Sequence, residues 1–274
     1  MSITTEPKTK KITVKSFREM KENNEKISML TAYDYTMARI LDHSGIDAIL
    51  VGDSAGNVMA GYDTTLPVTL DEIIYHGRSV RRAVRRALLV VDMPFGTCCG
   101  NVLESLSNAV AIMKGTGAEA LKIEGGEALI PDIRKIILAG IPVMGHLGLM
   151  PQSVHQYGGY GLRAKSEGEA AQLKRDALLL EEAGCFAITL EKVPAPLAGE
   201  IAKLLKIPII GIGAGAGVDG QVLVVQDMLG LNEGFAPKFV RRYTNLAQSM
   251  AEAVTGYIAD VKNIAFPSED ESYM

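Results

Sequence analysis

The chain has 274 residues, 28 basic and 32 acidic for a formal net charge of −4, and 47% of them are hydrophobic. That balance gives a nucleic-acid partner no electrostatic footing, and the apolar content is enough for a core without staples. The three cysteines, Cys98, Cys99 and Cys185, make neither a disulfide framework nor a CxxC zinc pair, which points to a reducing compartment.

In chain order, MSITTEPKTKKITV lacks the apolar centre of a signal peptide, and no apolar run approaches the ~18 residues of a membrane span. The expectation is a soluble cytoplasmic protein without a membrane partner. TVKSFREMKEN reads as a helix ahead of the first strand, able to cover the bottom of a sheet or barrel. Short apolar, β-branched runs then recur near Ile27–Tyr33, Ala48–Gly52, Ala87–Val91, Ala120–Ile123, Pro142–Gly145, Phe186–Leu190, Pro208–Ile212 and Gln221–Val225. Several are continuous rather than alternating, as parallel strands covered on both faces require.

Helical patterns separate them. Thr69 with Glu72 forms a capping box ahead of DEIIYHGRSVRRAVRR. Within that stretch RSVRRAVRR looks basic, but Val80, Ala83, Val84 and Ala87 supply a packing face, so a solvated helix surface is the reading. Ala170, Leu173, Ala177 and Leu180 repeat at helical spacing before a Gly184 stop. Segment 213–220 is too short for a full helix between strands seven and eight. Its GAGVDG satisfies GxGxxG, yet a strand follows where a dinucleotide fold needs a helix, so only a phosphate-binding loop stays open. Phe239, Tyr243, Leu246, Met250, Val254, Tyr257 and Val261 draw one stripe down a long C-terminal helix. Eight βα units predict a single α/β domain over 1–274, a (β/α)8 TIM barrel, with an N-terminal extension and helix over 1–26 and a flexible tail over 265–274. An open doubly wound sheet is the rival.

Polar residues gather at the strand ends. Asp53 and Ser54 end strand two, Asp92 ends strand three, Lys122 and Glu124 end strand four, His146 follows strand five and Glu191 follows strand six. In a barrel these ends share one rim, where active sites are built. Lys122 and Glu124, two apart, share a strand face. The oxygen-only set Asp53, Asp92 and Glu124 suits Mg²⁺ and an anionic substrate. Lys122 could pair with a substrate carboxylate, and Glu191 or His146 could move a proton, which composes proton abstraction beside a 2-keto acid's carbonyl.

Each piece has a plainer reading. A strand-end aspartate often caps a helix, Glu124 before Gly125–Gly126 can be a solvated turn residue, Glu191 can pair with Lys192, and His146 can be a hydrogen-bonded core histidine. PQSVHQYGGYG after strand five suits a mobile lid or an ordinary surface loop. The conjunction carries the argument, not any member of it.

GDSAGNVMAGYDTTLPVTLDEIIYHGRSV, VVDMPFGT, LKIEGG, PVMGHLGLMPQSVHQYGGY and GAGVDGQVLVVQDMLG resemble the signatures of the ketopantoate hydroxymethyltransferase family, over a stretch from TAYDYT at residue 31 to about residue 243. The resemblance implies a TIM barrel assembled as a homodecamer of two pentameric rings. It implies hydroxymethyl transfer from 5,10-methylenetetrahydrofolate to 3-methyl-2-oxobutanoate through an Mg²⁺-stabilised enolate, giving 2-dehydropantoate and tetrahydrofolate in pantothenate biosynthesis. By the same resemblance one Mg²⁺ per subunit is held by Asp53 and Asp92, with Glu124 completing its environment. Ser54 and Lys122 bind the keto acid alongside Asp53 and Asp92, Glu191 is the general base, and His146 is accessory. Ala216 in GAGAGVDGQ and GLRAKSE after GGY depart from the family pattern, both in loops. An Mg²⁺-dependent lyase or mutase of the phosphoenolpyruvate mutase and isocitrate lyase type is the alternative. Such enzymes carry a loop cysteine, often KxCG, which is missing here; Cys98–Cys99 in GTCCGN is a poor substitute. A non-catalytic barrel holding a phosphorylated ligand at GAGAG is the reading from another class.

Overall fold

The apolar runs become the staves of a closed barrel in a computed structural model, which describes residues 10–273 apart from 233, 235 and 236. Eight strands, β1 (Ile27–Thr31), β2 (Ala48–Val51), β3 (Leu88–Asp92), β4 (Ala120–Glu124), β5 (Val143–Gly148), β6 (Ala187–Glu191), β7 (Ile209–Ile212) and β8 (Gly220–Leu223), follow one another in chain order. All neighbours are parallel, and β8 pairs back onto β1 to close the ring. Every residue of β2 and β3 is buried, as expected of strands with helices outside and packed side chains within. The expected (β/α)8 barrel is what forms, and the open-sheet rival is excluded by the β1–β8 pairing.

Met29, Leu50, Val90, Met144, Ile210 and Val222 meet inside the barrel. Phe17, from the N-terminal helix Val14–Glu22, joins this cluster and lies edge-on to Phe186 with ring centroids 5.7 Å apart. The extra helix thus plugs the barrel end at which the strands begin. Lys21 fastens it there, its Nζ donating to Ala202 O (2.7 Å), Ile207 O (2.9 Å) and Asp219 Oδ2 (2.9 Å).

Local signals act where expected. Thr69 and Glu72 cap the helix Leu70–Ala83 reciprocally. Val80, Ala83, Val84 and Ala87 are all buried, so the basic stretch is indeed the outer face of a packed segment. Gly184 ends the helix Glu167–Ala183 at φ +101°. Between β7 and β8 no helix forms. β5 runs on to Gly148, beyond the expected stop at Gly145.

The chain divides into two compact units, Met1–Val224, which holds the barrel, and Val225–Met274. The second contains the short helix Val225–Met228, the helix Leu246–Lys262 and the turn Glu269–Glu271. Phe239 and Tyr243, expected in the long helix, precede it. The backbone there is engaged elsewhere: Tyr243 N–H donates to Met228 O and Leu246 N–H to Leu229 O, both at 2.9 Å. The apolar period extends upstream of the helix without the helical bonds. No described helix is long and apolar enough to cross a membrane.

Lys21→Met should cost about 2 kcal/mol, because it strips the helix of its anchor and leaves two carbonyls and Asp219 underpartnered. A denaturant titration whose midpoint does not fall would contradict that role.

Candidate active site

Strand register assembles the site. Asp92 on β3 pairs in register with Lys122 on β4, Glu124 on β4 with His146 on β5, and Gly148 on β5 with Glu191 on β6. Period-two alternation lets Lys122 and Glu124 occupy one side of their strand. Lys122 Nζ lies 3.1 Å from Asp92 Oδ1 and 3.2 Å from His146 Nδ1. His146 Nδ1 lies 3.2 Å from Glu124 Oε1, and its Nε2 lies 3.4 Å from Glu191 Oε2. The turn after β2 adds Asp53, whose backbone N–H donates to Asp92 Oδ2 at 3.0 Å. All the rim residues singled out from the sequence therefore converge, and Asp53 and Asp92 adjoin.

Two glycines make the approach possible. A Cβ on Gly52 would stand 2.8 Å from Ser54 Oγ and 3.3 Å from Asp92 Oδ2. Gly148, at φ +91°, lets β5 come so near Glu191 that a Cβ would meet its carbonyl oxygen at 2.3 Å.

Sequence reasoning missed two contributors. Tyr33, read as part of strand one, follows β1; its hydroxyl sits 2.8 Å from Ser54 Oγ and its carbonyl is bonded to His76 Nδ1 at 2.7 Å. Gln152 lies in the loop after β5, which forms the 3₁₀ turn Pro151–Ser153 and the short helix Val154–Tyr157. Its Nε2 donates to Asp53 Oδ2 (2.7 Å) and Met93 O (3.0 Å), and its backbone N–H donates to Glu124 Oε2 (3.0 Å). The glycine- and aromatic-rich composition of this loop gave no cue that an amide within it turns back to the cluster. Farther on, the loop folds over the residue after Glu191. Arg163 stacks on Tyr157 at 4.1 Å and donates its backbone N–H to Lys192 O (2.9 Å), and Lys192 Nζ bonds Tyr160 O.

Burial and charge set the electrostatics. Asp53, Asp92, Lys122 and His146 are buried residues, and the Glu124 side chain is only 3% exposed. Burial, reinforced by Glu124 and Asp92, raises the Asp53 carboxyl well above the usual carboxylate range. Burial also raises Asp92, with Lys122 opposing it. Burial would raise Glu124 too, but His146 and Lys122 hold it below its ordinary value. Burial works against a charged Lys122, yet Asp92, Glu124 and Asp53 outweigh it and raise the ammonium's pKa. Burial and Lys122 pull His146 down, and Glu124 and Glu191 more than offset them, bringing it to about 9.

At full ionisation Asp53, Asp92, Glu124 and Glu191 are four negative charges facing two positive ones, Lys122 and His146, a shortfall of two. Asp92 Oδ1 and Glu124 Oε1 are buried, with Lys122 Nζ 3.1 Å from the first and His146 Nδ1 3.2 Å from the second as their near neighbours. A dication fits that chemistry. Among the described residues no three His, Cys, Asp or Glu side chains stand ready as a metal cage. The donor set thus suits an ion that takes one or two carboxylates and completes its shell with water and substrate, as Mg²⁺ does.

The other readings fare differently. GAGVDG leads into β8 at Gly220, so no helix N-terminus follows it and the dinucleotide fingerprint fails. Burial, with Asp132 adding to it, pushes the Cys98 thiol up to about 12, and burial alone pushes Cys185 up to about 12. Neither is a ready nucleophile. At pH 8 a maleimide should label exposed Cys99 and spare Cys98 and Cys185; mass spectrometry showing Cys98 labelled as fast as Cys99 would contradict this.

Comparison with known proteins follows the same line. A family model described as ketopantoate hydroxymethyltransferase matches residues 11–269. A 3-methyl-2-oxobutanoate hydroxymethyltransferase from Bacteroides fragilis is 62% identical over 265 residues, covering 97% of each chain. One of the same name from Parabacteroides distasonis is 58% identical over 273 residues, covering 100% of each. Among solved structures, phosphonopyruvate hydrolase in complex with oxalate and Mg²⁺ superposes with a TM-score of 0.61 at 14% identity, over 95% of this chain and 93% of that one. The 2,3-dimethylmalate lyase of the phosphoenolpyruvate mutase/isocitrate lyase superfamily gives 0.56 at 16% identity, over 89% and 95%. At such identities these two share the fold alone.

Proposed function

The chain belongs to the ketopantoate hydroxymethyltransferase family, and from that premise we propose how its rim cluster serves the family's reaction. That reaction transfers a hydroxymethyl group to 3-methyl-2-oxobutanoate in pantothenate synthesis. Asp53 and Asp92 would hold one Mg²⁺ per subunit, with Glu124 completing its environment, and 5,10-methylenetetrahydrofolate would donate the one-carbon unit. The observation that carries this reading is the cluster's shortfall of two positive charges at full ionisation, with Asp53 and Asp92 adjoining.

Bound magnesium supplies Lewis-acid polarisation of the keto oxygen, which makes the C3–H of the keto acid removable. Lys122 pairs with the substrate carboxylate, and Asp92 keeps the ammonium charged and in place. Ser54 presents its hydroxyl to the same end of the substrate, fixed by Tyr33. Glu191 takes the C3 proton. It is the cluster's most accessible carboxylate, with its side chain 16% exposed against 2–3% for Asp92 and Glu124, so it is the one a substrate can reach. His146, between Glu191 and Glu124, balances their charge and orients the base from one side. Water cleaves the two C–N bonds of the methylene carbon and tetrahydrofolate leaves. The carbon nucleophile left at C3 adds to the resulting formaldehyde-level carbon, whose oxygen takes the proton from Glu191 to become the hydroxyl, a matter of positioning two substrates in one mouth.

Glu191→Gln should leave keto-acid binding near the wild-type level and abolish exchange of the C3 hydrogen into D₂O, followed by proton NMR; continued exchange would reassign the base. A loss of two to four orders of magnitude is the scale of such a step.

We further propose that the enzyme works in the cytoplasm as a homo-oligomer, the decamer of the family resemblance. The helix Leu246–Lys262 has no buried residue and exposes Met250, Val254, Tyr257, Ile258 and Val261, which supports a role in assembly. Sedimentation should give a decameric mass at micromolar concentration, and a monomer there would contradict it.

A further inference from the structure

In the acidic cluster each buried carboxylate has one oxygen occupied by an N–H donor. Asp53 Oδ2 accepts from Gln152 Nε2 at 2.7 Å, Asp92 Oδ2 from the Asp53 backbone at 3.0 Å, and Glu124 Oε2 from the Gln152 backbone at 3.0 Å. The other oxygens of Asp92 and Glu124 are buried and face Lys122 Nζ at 3.1 Å and His146 Nδ1 at 3.2 Å. Gln152 supplies two of these three donors. Its amide cannot swing away freely, because its second N–H is committed to Met93 O at 3.0 Å. One loop residue thereby ties together the ends of β2, β3 and β4.

We propose that Gln152 is a positioning residue that sets the ion selectivity of the site. By occupying Asp53 Oδ2 and Glu124 Oε2 it keeps one oxygen of each carboxylate committed to an N–H, and so favours a small dication over a large one. Mg²⁺ binds oxygen at about 2.0–2.1 Å in a strict octahedron and is content with single carboxylate oxygens and water. Ca²⁺ takes six to eight oxygens at about 2.3–2.6 Å and commonly grips a carboxylate by both. To present both oxygens, Asp53 must break its bond to the Gln152 amide, and the freed amide N–H would be left without its partner. That cost falls on the larger ion. The Asp53 N–H on Asp92 acts in the same sense but belongs to the main chain, so the Gln152 side chain is the part that substitution can switch off.

The inference rests on the reading of Asp53 and Asp92 as ion ligands, and its test separates the two. Calorimetric titration of the full-length, metal-free protein with Mg²⁺ and, separately, with Ca²⁺ gives the affinity ratio for the wild type, Gln152→Met and Gln152→Glu. Methionine keeps the volume and removes the side-chain N–H groups on Asp53 and Met93 while the backbone N–H on Glu124 stays; glutamate replaces the side-chain donor by a further oxygen. Wild-type protein should prefer Mg²⁺. Gln152→Met should lower Mg²⁺ affinity by about tenfold or more, the usual effect of removing a group that orients a ligand. Ca²⁺ affinity should fall by less or rise, so the ratio shrinks, and Gln152→Glu should move it farther towards Ca²⁺. A ratio that stays at the wild-type value in both variants, including equal losses for both ions, would overturn the selectivity role while leaving the ion site standing. Wild-type protein that binds neither ion would overturn both. Thermal unfolding of each variant checks that it is folded, and either variant alone is enough to read the ratio.

Discussion

Four carboxylates packed against two cationic side chains in a water-poor rim cannot all stay ionised unless further positive charge arrives. That constraint orders the rest of the site. Burial, with Glu124 and Asp92 adding to it, pushes Asp53 well above the ordinary carboxylate range, while His146 and Lys122 hold Glu124 below it against burial. The carboxylates keep the lysine charged in a place where burial alone would discharge it. The cluster is not a stabilising ion-pair network. Buried pairs of this kind contribute little net stability, and an unbalanced one costs it. A protein that maintains such an arrangement has a use for the missing charge.

The barrel makes the arrangement possible by register. Adjacent parallel strands set Asp92 beside Lys122, Glu124 beside His146, and the glycine at position 148 beside Glu191, so each ionic neighbour is fixed by main-chain pairing. Rigidity continues below, where Phe17 fills the opposite mouth. Above the rim lies the loop after β5. Gln152 reaches inwards from its first turn, and its later residues rest on Lys192, a non-glycine residue at φ +45° directly after Glu191. Main-chain conformation beside Glu191 is thus tied to the same loop whose Gln152 bonds Asp53 and Glu124.

Much of this could be read from the chain. Short apolar, β-branched runs marked all eight strands, and several are continuous because parallel strands buried on both faces have no polar side to interrupt them. The polar residues at their ends stood out for the same reason: Asp92, Lys122 and Glu191 break runs that are otherwise apolar. Residues whose roles depend on a loop turning back were not legible. Gln152 is an ordinary amide in an ordinary polar loop, and only the path set by Pro151 and the turn after it brings its Nε2 to Asp53. Tyr33 looked like one more apolar strand residue, since nothing in its type distinguishes a packed ring from a ring whose hydroxyl holds Ser54. The C-terminal stripe misled in the opposite direction. Phe239 and Tyr243 keep the period of the helix that follows, but their backbone lies before its first turn.

The central claim is that the rim's missing charge is made good by a divalent cation shared between Asp53 and Asp92. Crystals of the protein loaded with Mn²⁺ in place of Mg²⁺, measured at an anomalous wavelength, test it most directly. The account predicts one anomalous peak per subunit, about 2.0–2.2 Å from a single oxygen of each aspartate, with Gln152 still bonded to the other oxygen of Asp53. A peak elsewhere in the molecule, or none at saturating Mn²⁺, would contradict it.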